Sequence, residues 1–99
     1  MVERLAESDI NERLADIPEW SRIGNEISRT VKAPTFLEGI AIVDEVAVAA
    51  EKAKHHPDID IRWRDITFRL TTHDAGNVLT ELDFRLAETI DTIATRRGA

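Results

Sequence analysis

Glu51-Lys52-Ala53-Lys54-His55-His56-Pro57 is the stretch at which this chain passes from helix to sheet. The residue before a proline is pushed out of helical geometry, so a helix must stop here. Beyond it the apolar period changes to two. Ile59, Ile61 and Trp63 alternate with polar neighbours, and Ile66, Phe68 and Leu70 alternate with Thr67, Arg69 and Thr71. That pattern predicts two half-buried strands. Arg64-Asp65 is their turn, and Trp63, in phase with the two isoleucines, reads as core. Thr72-His73-Asp74-Ala75-Gly76-Asn77 follows as a loop. All three histidines of the protein fall between residues 55 and 73.

Upstream of this stretch the spacing predicts a long helix ending near Lys54. Thr35-Phe36-Leu37-Glu38 matches a capping box, with the Thr35 hydroxyl accepting from the Glu38 N–H and the Glu38 carboxylate reaching back. Phe36, Ile40, Val43, Ala47 and Ala50 recur at helical spacing, and Leu37, Val46 and Ala53 widen the apolar stripe. Before it, Gly24-Asn25 separates Trp20–Ile23 from Glu26–Val31, where Ile27 and Val31 share one face and Ser28 and Thr30 the other. This is a β-hairpin. Ser8 is placed to cap a short helix over residues 9–16 that Pro18 ends, and residues 1–8 form a loosely held terminus. Downstream, Thr80 and Asp83 form a second capping pair for a helix carrying Leu82, Leu86, Ile90 and Ile93. Arg96-Arg97-Gly98 closes that helix. The order is α-β-β-α-β-β-α in one α+β domain over residues 1–99. It predicts a four-stranded antiparallel sheet with its helices packed on one face.

Composition narrows the function. The chain has 99 residues, no cysteine and a formal net charge of −6. Thiolate chemistry, disulfides and cysteine zinc sites are excluded. That net charge weighs against nucleic-acid binding, for which a basic face is the usual footprint, and Arg62, Arg64 and Arg69 read as solvated strand positions. No apolar run approaches the length of a membrane span, and the N-terminus has no hydrophobic signal core. A cytoplasmic protein is expected.

The histidines remain as the chemistry-bearing feature. Imidazole titrates nearest neutrality, which suits it to proton transfer. His55, His56, His73, Glu51 and Asp74 also contain enough donor types for a metal, but adjacent histidines at a helix end diverge and no HExxH pattern is present. Glu51 and His55 stand at i, i+4, so a carboxylate–imidazole pair that fixes the ring's tautomer is the more natural inference. No nucleophile elbow or glycine-rich phosphate loop is present. Acid–base chemistry on a small molecule is what remains. Trp20 and Trp63 offer stacking surfaces for a flat ring, although tryptophan in so small a protein is commonly core.

Glu51-Lys52-Ala53-Lys54-His55-His56-Pro57, an aromatic at Trp63 and Thr72-His73-Asp74-Ala75-Gly76 together resemble the signature of the pterin-4a-carbinolamine dehydratases. The resemblance runs from about Ile10 to Thr95, includes Trp20 before the first strand, and agrees with that family's element order. It implies dehydration of a 4a-hydroxytetrahydropterin to the quinonoid dihydropterin, which recycles pterin after an aromatic amino-acid hydroxylase. It implies His55 and His73 as the acid–base pair, Glu51 as the orienter of His55, and His56 as a pterin-binding group. Pro57, Thr72, Asp74 and Trp20 would line the pocket. The loop from His73 to Asp83 is one residue longer than in many relatives, with Asn77-Val78 as the insertion. Asp83 is thereby placed near the site but also reads as a helix cap alone. No cofactor or metal is implied, since the pterin is substrate, and a homodimer or homotetramer is expected. The alternative within the same fold is a non-catalytic dimerisation, coactivator or assembly-factor role.

Overall fold

A computed structural model describes residues 2–99. The elements are α1 (Glu7–Ala15), β1 (Ser21–Ile23), β2 (Glu26–Lys32), α2 (Phe36–Ala53), β3 (Asp58–Arg62), β4 (Asp65–Leu70), a 3₁₀ turn (His73–Ala75) and α3 (Glu81–Arg96). The strands form one antiparallel sheet in the order β1-β2-β4-β3. The predicted α+β order is the order found. Ile27, Val31, Ile66, Phe68 and Leu70 project from one face of the central strands into a core completed by Ile42, Val46, Phe84, Ala87 and Ile90 from the helices. Thr30 and Thr67 take the other face and hydrogen-bond across the strands at 2.8 Å.

Four local expectations are corrected. First, α1 begins at Glu7 after Ala6, which offers no side-chain cap, so Ser8 lies inside the helix and does not cap it. Ahead of α1, the Leu5 N–H donates to the Leu79 carbonyl at 3.0 Å. Second, Thr35 accepts from the Glu38 N–H at 3.0 Å, but the Glu38 carboxylate takes Arg97 instead of returning to the cap. Third, the buried stripe of α2 is Gly39, Ile42, Val46 and Ala50. Phe36 and Leu37, expected inside, are 49% and 78% exposed. The helix is apolar on most of its circumference, so periodicity alone does not say which side turns inward. Fourth, the β3–β4 turn falls at Trp63-Arg64, one residue earlier than expected. Trp63 takes a left-handed φ of 54° there. Its ring is 71% exposed beneath the Arg64 guanidinium, and it is not core.

The helices are pinned to one another by charge. Arg13 of α1 reaches Glu81 and Glu88 on α3. Glu45 of α2 receives Arg96 and Arg97 from the end of α3, which hold its carboxyl below the ordinary carboxylate range.

Gly39 decides how close α2 lies to the sheet. A Cβ there would stand 3.3 Å from Ile66 Cδ1 and 3.4 Å from the Ala33 Cβ. Branched bulk has no room in a packed core. Gly39→Val is expected to lower the urea midpoint by the equivalent of about 1–3 kcal/mol with an unchanged m-value. A midpoint equal to wild type would show that α2 does not pack this closely.

Candidate active site

The site is assembled where α2 stops. Lys54 caps the helix in the left-handed region at φ 52°, and its N–H returns to the carbonyls of Ala50 and Glu51. The His55 N–H also turns back to the Ala50 carbonyl, at 3.1 Å. This reversal sends His55 inward, where it is 6% exposed, and leaves His56 outside. The i, i+4 pairing expected between Glu51 and His55 requires the helix to continue through residue 55. It does not form: Glu51 Oε2 lies 2.6 Å from His56 Nε2 instead, both groups being exposed.

His55 pairs with Asp83. The distance from its Nε2 to Asp83 Oδ1 is 2.7 Å, and the Asp83 side chain is completely buried. The second oxygen, Oδ2, accepts from the Thr72 hydroxyl at 2.8 Å and from the Thr80 N–H at 2.9 Å. Thr72 and Thr80 hydroxyls lie 2.7 Å apart, and Thr80 Oγ1 accepts from the Leu82 N–H at 3.2 Å. With the Thr72 proton committed to Asp83, the Thr80 hydroxyl is the donor in that pair. A carboxylate only accepts, so His55 carries its proton on Nε2 and its Nδ1 is the unprotonated nitrogen. Asp83 is therefore both the capping-box residue of α3 and the group that orients His55.

His73 opens the 3₁₀ turn. The turn is closed by the Gly76 N–H to the His73 carbonyl at 3.0 Å, with Gly76 left-handed at φ 89°. The Thr72 N–H bonds the Val78 carbonyl at 2.9 Å and the Asn77 N–H returns to the Thr72 carbonyl at 3.0 Å, so the loop is tied at its base. His73 Nδ1 lies 2.6 Å from Asn77 Oδ1. The amide oxygen accepts, which leaves Nε2 of His73 free.

His55, His56 and His73 line one cavity of about 90 Å³ together with Lys54, Thr72, Asp74 and Leu82. Of the residues expected there, Thr72 and Asp74 contribute wall, Asp83 sits behind His55, and Glu51 reaches only His56. Pro57 is half-buried and not part of the lining. Trp20 is not brought to the histidines. Its ring is 5% exposed within the core and its indole N–H donates to Asp91 Oδ1 at 2.8 Å, an oxygen that also receives Arg29. Lys54, Leu82 and Asn77 were missed in the sequence. Asn77 stands at a left-handed φ of 61°, a conformation asparagine tolerates, and its place four residues after a histidine was the available signal. Among the described residues, no group of three histidine or carboxylate side chains gathers in a metal-holding arrangement. No helix of these residues is long and apolar enough to cross a membrane.

Fold and cavity thus define a small α+β protein that collects three imidazoles from a helix end and a loop. Comparison with known proteins gives the class a name. A family model described as pterin 4 alpha carbinolamine dehydratase matches residues 3–93. A candidate pterin-4-alpha-carbinolamine dehydratase of Roseiflexus sp. (strain RS-1) is 56% identical over 93 residues, covering 94% of this chain and 99% of its own. A second candidate of that name, from Nocardia farcinica, is 56% identical over 92 residues, 93% of this chain and 96% of its own. The crystal structure of a transcriptional coactivator/pterin dehydratase from Brucella melitensis superposes with a TM-score of 0.88 at 32% identity, over 93% of this chain and 99% of that one. A pterin dehydratase-like RuBisCO assembly factor of the alpha-carboxysome shares the fold at a TM-score of 0.62 and 17% identity, over 76% of this chain and 86% of its own. This chain belongs to the pterin-4-alpha-carbinolamine dehydratase family.

The Asp83 network makes a direct prediction. Asp83→Asn places an amide NH₂ where only acceptors fit, and leaving a buried polar group mismatched costs about 1–3 kcal/mol. Urea denaturation should register that loss. ¹⁵N spectra of the ring should show His55 with its proton on Nε2 in the wild type and a changed tautomer balance in the variant. Identical ring spectra would mean that Asp83 does not orient His55.

Proposed function

We propose that this chain dehydrates a 4a-hydroxytetrahydropterin to the quinonoid dihydropterin and water, by histidine acid–base catalysis, in pterin recycling. The observation that carries the reading is the shared cavity: His55, oriented from behind by Asp83, faces the same space as His56 and His73. In the reaction the bond from C4a to the hydroxyl oxygen breaks, the N5 proton leaves, and a C4a–N5 double bond forms. His55, with Nδ1 unprotonated, takes the N5 proton. The imidazolium so formed rests against the Asp83 carboxylate. His73, in its protonated form, delivers a proton through Nε2 to the departing oxygen, which leaves as water. His56, steadied by Glu51, binds the pterin, and Thr72 and Asp74 supply wall. Histidine provides both proton transfers near neutral pH.

Decay of a 4a-hydroxypterin generated in situ tests this. Wild type should accelerate it, and His55→Ala and His73→Ala should each lose on the order of 10²-fold or more. No acceleration by wild type would favour the second reading, a binding role of the kind named for the Brucella relative as coactivator. That role has some support in the exposed apolar side chains Leu37, Val48 and Trp63. A homodimer or homotetramer belongs to the same proposal. Light scattering should give twice or four times the 11.2 kDa chain mass, and a monomer at that mass would remove it.

A further inference from the structure

The imidazole-lined cavity adjoins a second hollow of about 190 Å³. Thr72, Asp74 and Leu82 belong to both walls, and Ala75 and Val2 complete the second one. The two differ in character. Histidines line the first, whereas the second has none and is closed beyond the shared Leu82 by hydrocarbon from Ala75 and Val2. Sites for small organic ligands run from about 300 Å³ upward, so the 90 Å³ histidine cavity holds only the reacting part of a pterin.

The chemistry of the substrate says which part continues into the second hollow. C6 of a pterin is bonded to N5, the atom whose proton His55 is assigned to remove. A group on C6 therefore leaves the ring one bond from the reacting edge, and it must occupy space contiguous with the imidazoles. The shared wall of Thr72, Asp74 and Leu82 is where the two spaces meet.

We infer that the lobe bounded by Leu82, Ala75 and Val2 receives the C6 substituent of the pterin and favours one that begins in hydrocarbon. The inference rests on the dehydratase reading and adds a specificity-determining surface to it. Leu82 and Ala75 are the residues that set the preference. Leu82 lies in the first turn of α3 directly before Asp83, and Ala75 closes the 3₁₀ turn that carries His73, so each is held by the elements that hold the site.

Calorimetric titration of the full chain with 7,8-dihydropterin and with 6-methyl-7,8-dihydropterin tests it without relying on turnover. Burying one methyl group corresponds to about fourfold in affinity, so wild type should bind the 6-methyl compound about fourfold more tightly. Ala75→Phe, which fills the lobe, should abolish or reverse that preference while 7,8-dihydropterin still binds. Leu82→Ala, which opens the lobe, should reduce the preference below about twofold; far-ultraviolet circular dichroism checks that both variants fold. Equal affinities in wild type, or an unaltered preference in both variants, would overturn the assignment and leave the dehydratase reading standing. Failure of wild type to bind either pterin would overturn both.

Discussion

A buried carboxylate is the constraint on which the rest of this structure depends. Asp83 is fully buried, and an ion removed from water is tolerated only when it is paired and hydrogen-bonded. Its partners come from three places: His55 beyond the end of α2, Thr72 beyond the end of β4, and the Thr80 N–H at the start of α3. Satisfying one side chain therefore fixes the relative positions of three chain segments. The same bonds cap α3 and select the protonated nitrogen of His55. One network thus contributes to both stability and site geometry.

The packing behind the site serves that placement. Gly39 lets α2 settle on Ile66, and the αL residue Lys54 ends α2 so that the chain reverses and His55 points inward. Glu45 anchors the far end of α3 through Arg96 and Arg97, while Arg13 fixes its first turns to α1. With α2 and α3 held in this way, two loops of modest length deliver imidazoles to one cavity. The hollow beside it is built from the same loop and the same helix turn.

Much of this was legible in the residues. Alternation in 59–70 and helical spacing in 36–54 and 82–93 gave the element order, and the Thr80–Asp83 capping pair formed as expected. What the sequence concealed has physical causes. Alternation runs from Ile59 through Trp63, but β3 is the sheet's edge strand, where Ile59 and Ile61 are themselves 36% and 41% exposed. The chain turns at Trp63, so the alternating residues expected to be half-buried stand in solvent. Helical spacing linked Glu51 to His55, yet one left-handed residue broke the helix and passed Glu51 to His56. Asp83 read as a cap, and nothing local shows that the oxygen left over from the cap, Oδ1, would meet a histidine 28 positions earlier. Trp20 looked like a ring for stacking, while it is buried in the core with its indole N–H spent on the half-buried Asp91. Contacts between segments distant in sequence are what local pattern does not carry.

The central claim is that these imidazoles address one reactive edge of a reduced pterin, and the structure of the complex tests it most directly. A crystal of the wild-type chain soaked with 7,8-dihydropterin should place the C4a–N5 edge within hydrogen-bond reach of His55 Nδ1 and His73 Nε2, with Asp83 still on His55 Nε2. A pterin bound with that edge turned to solvent, or held at a surface remote from all three histidines, would contradict the account.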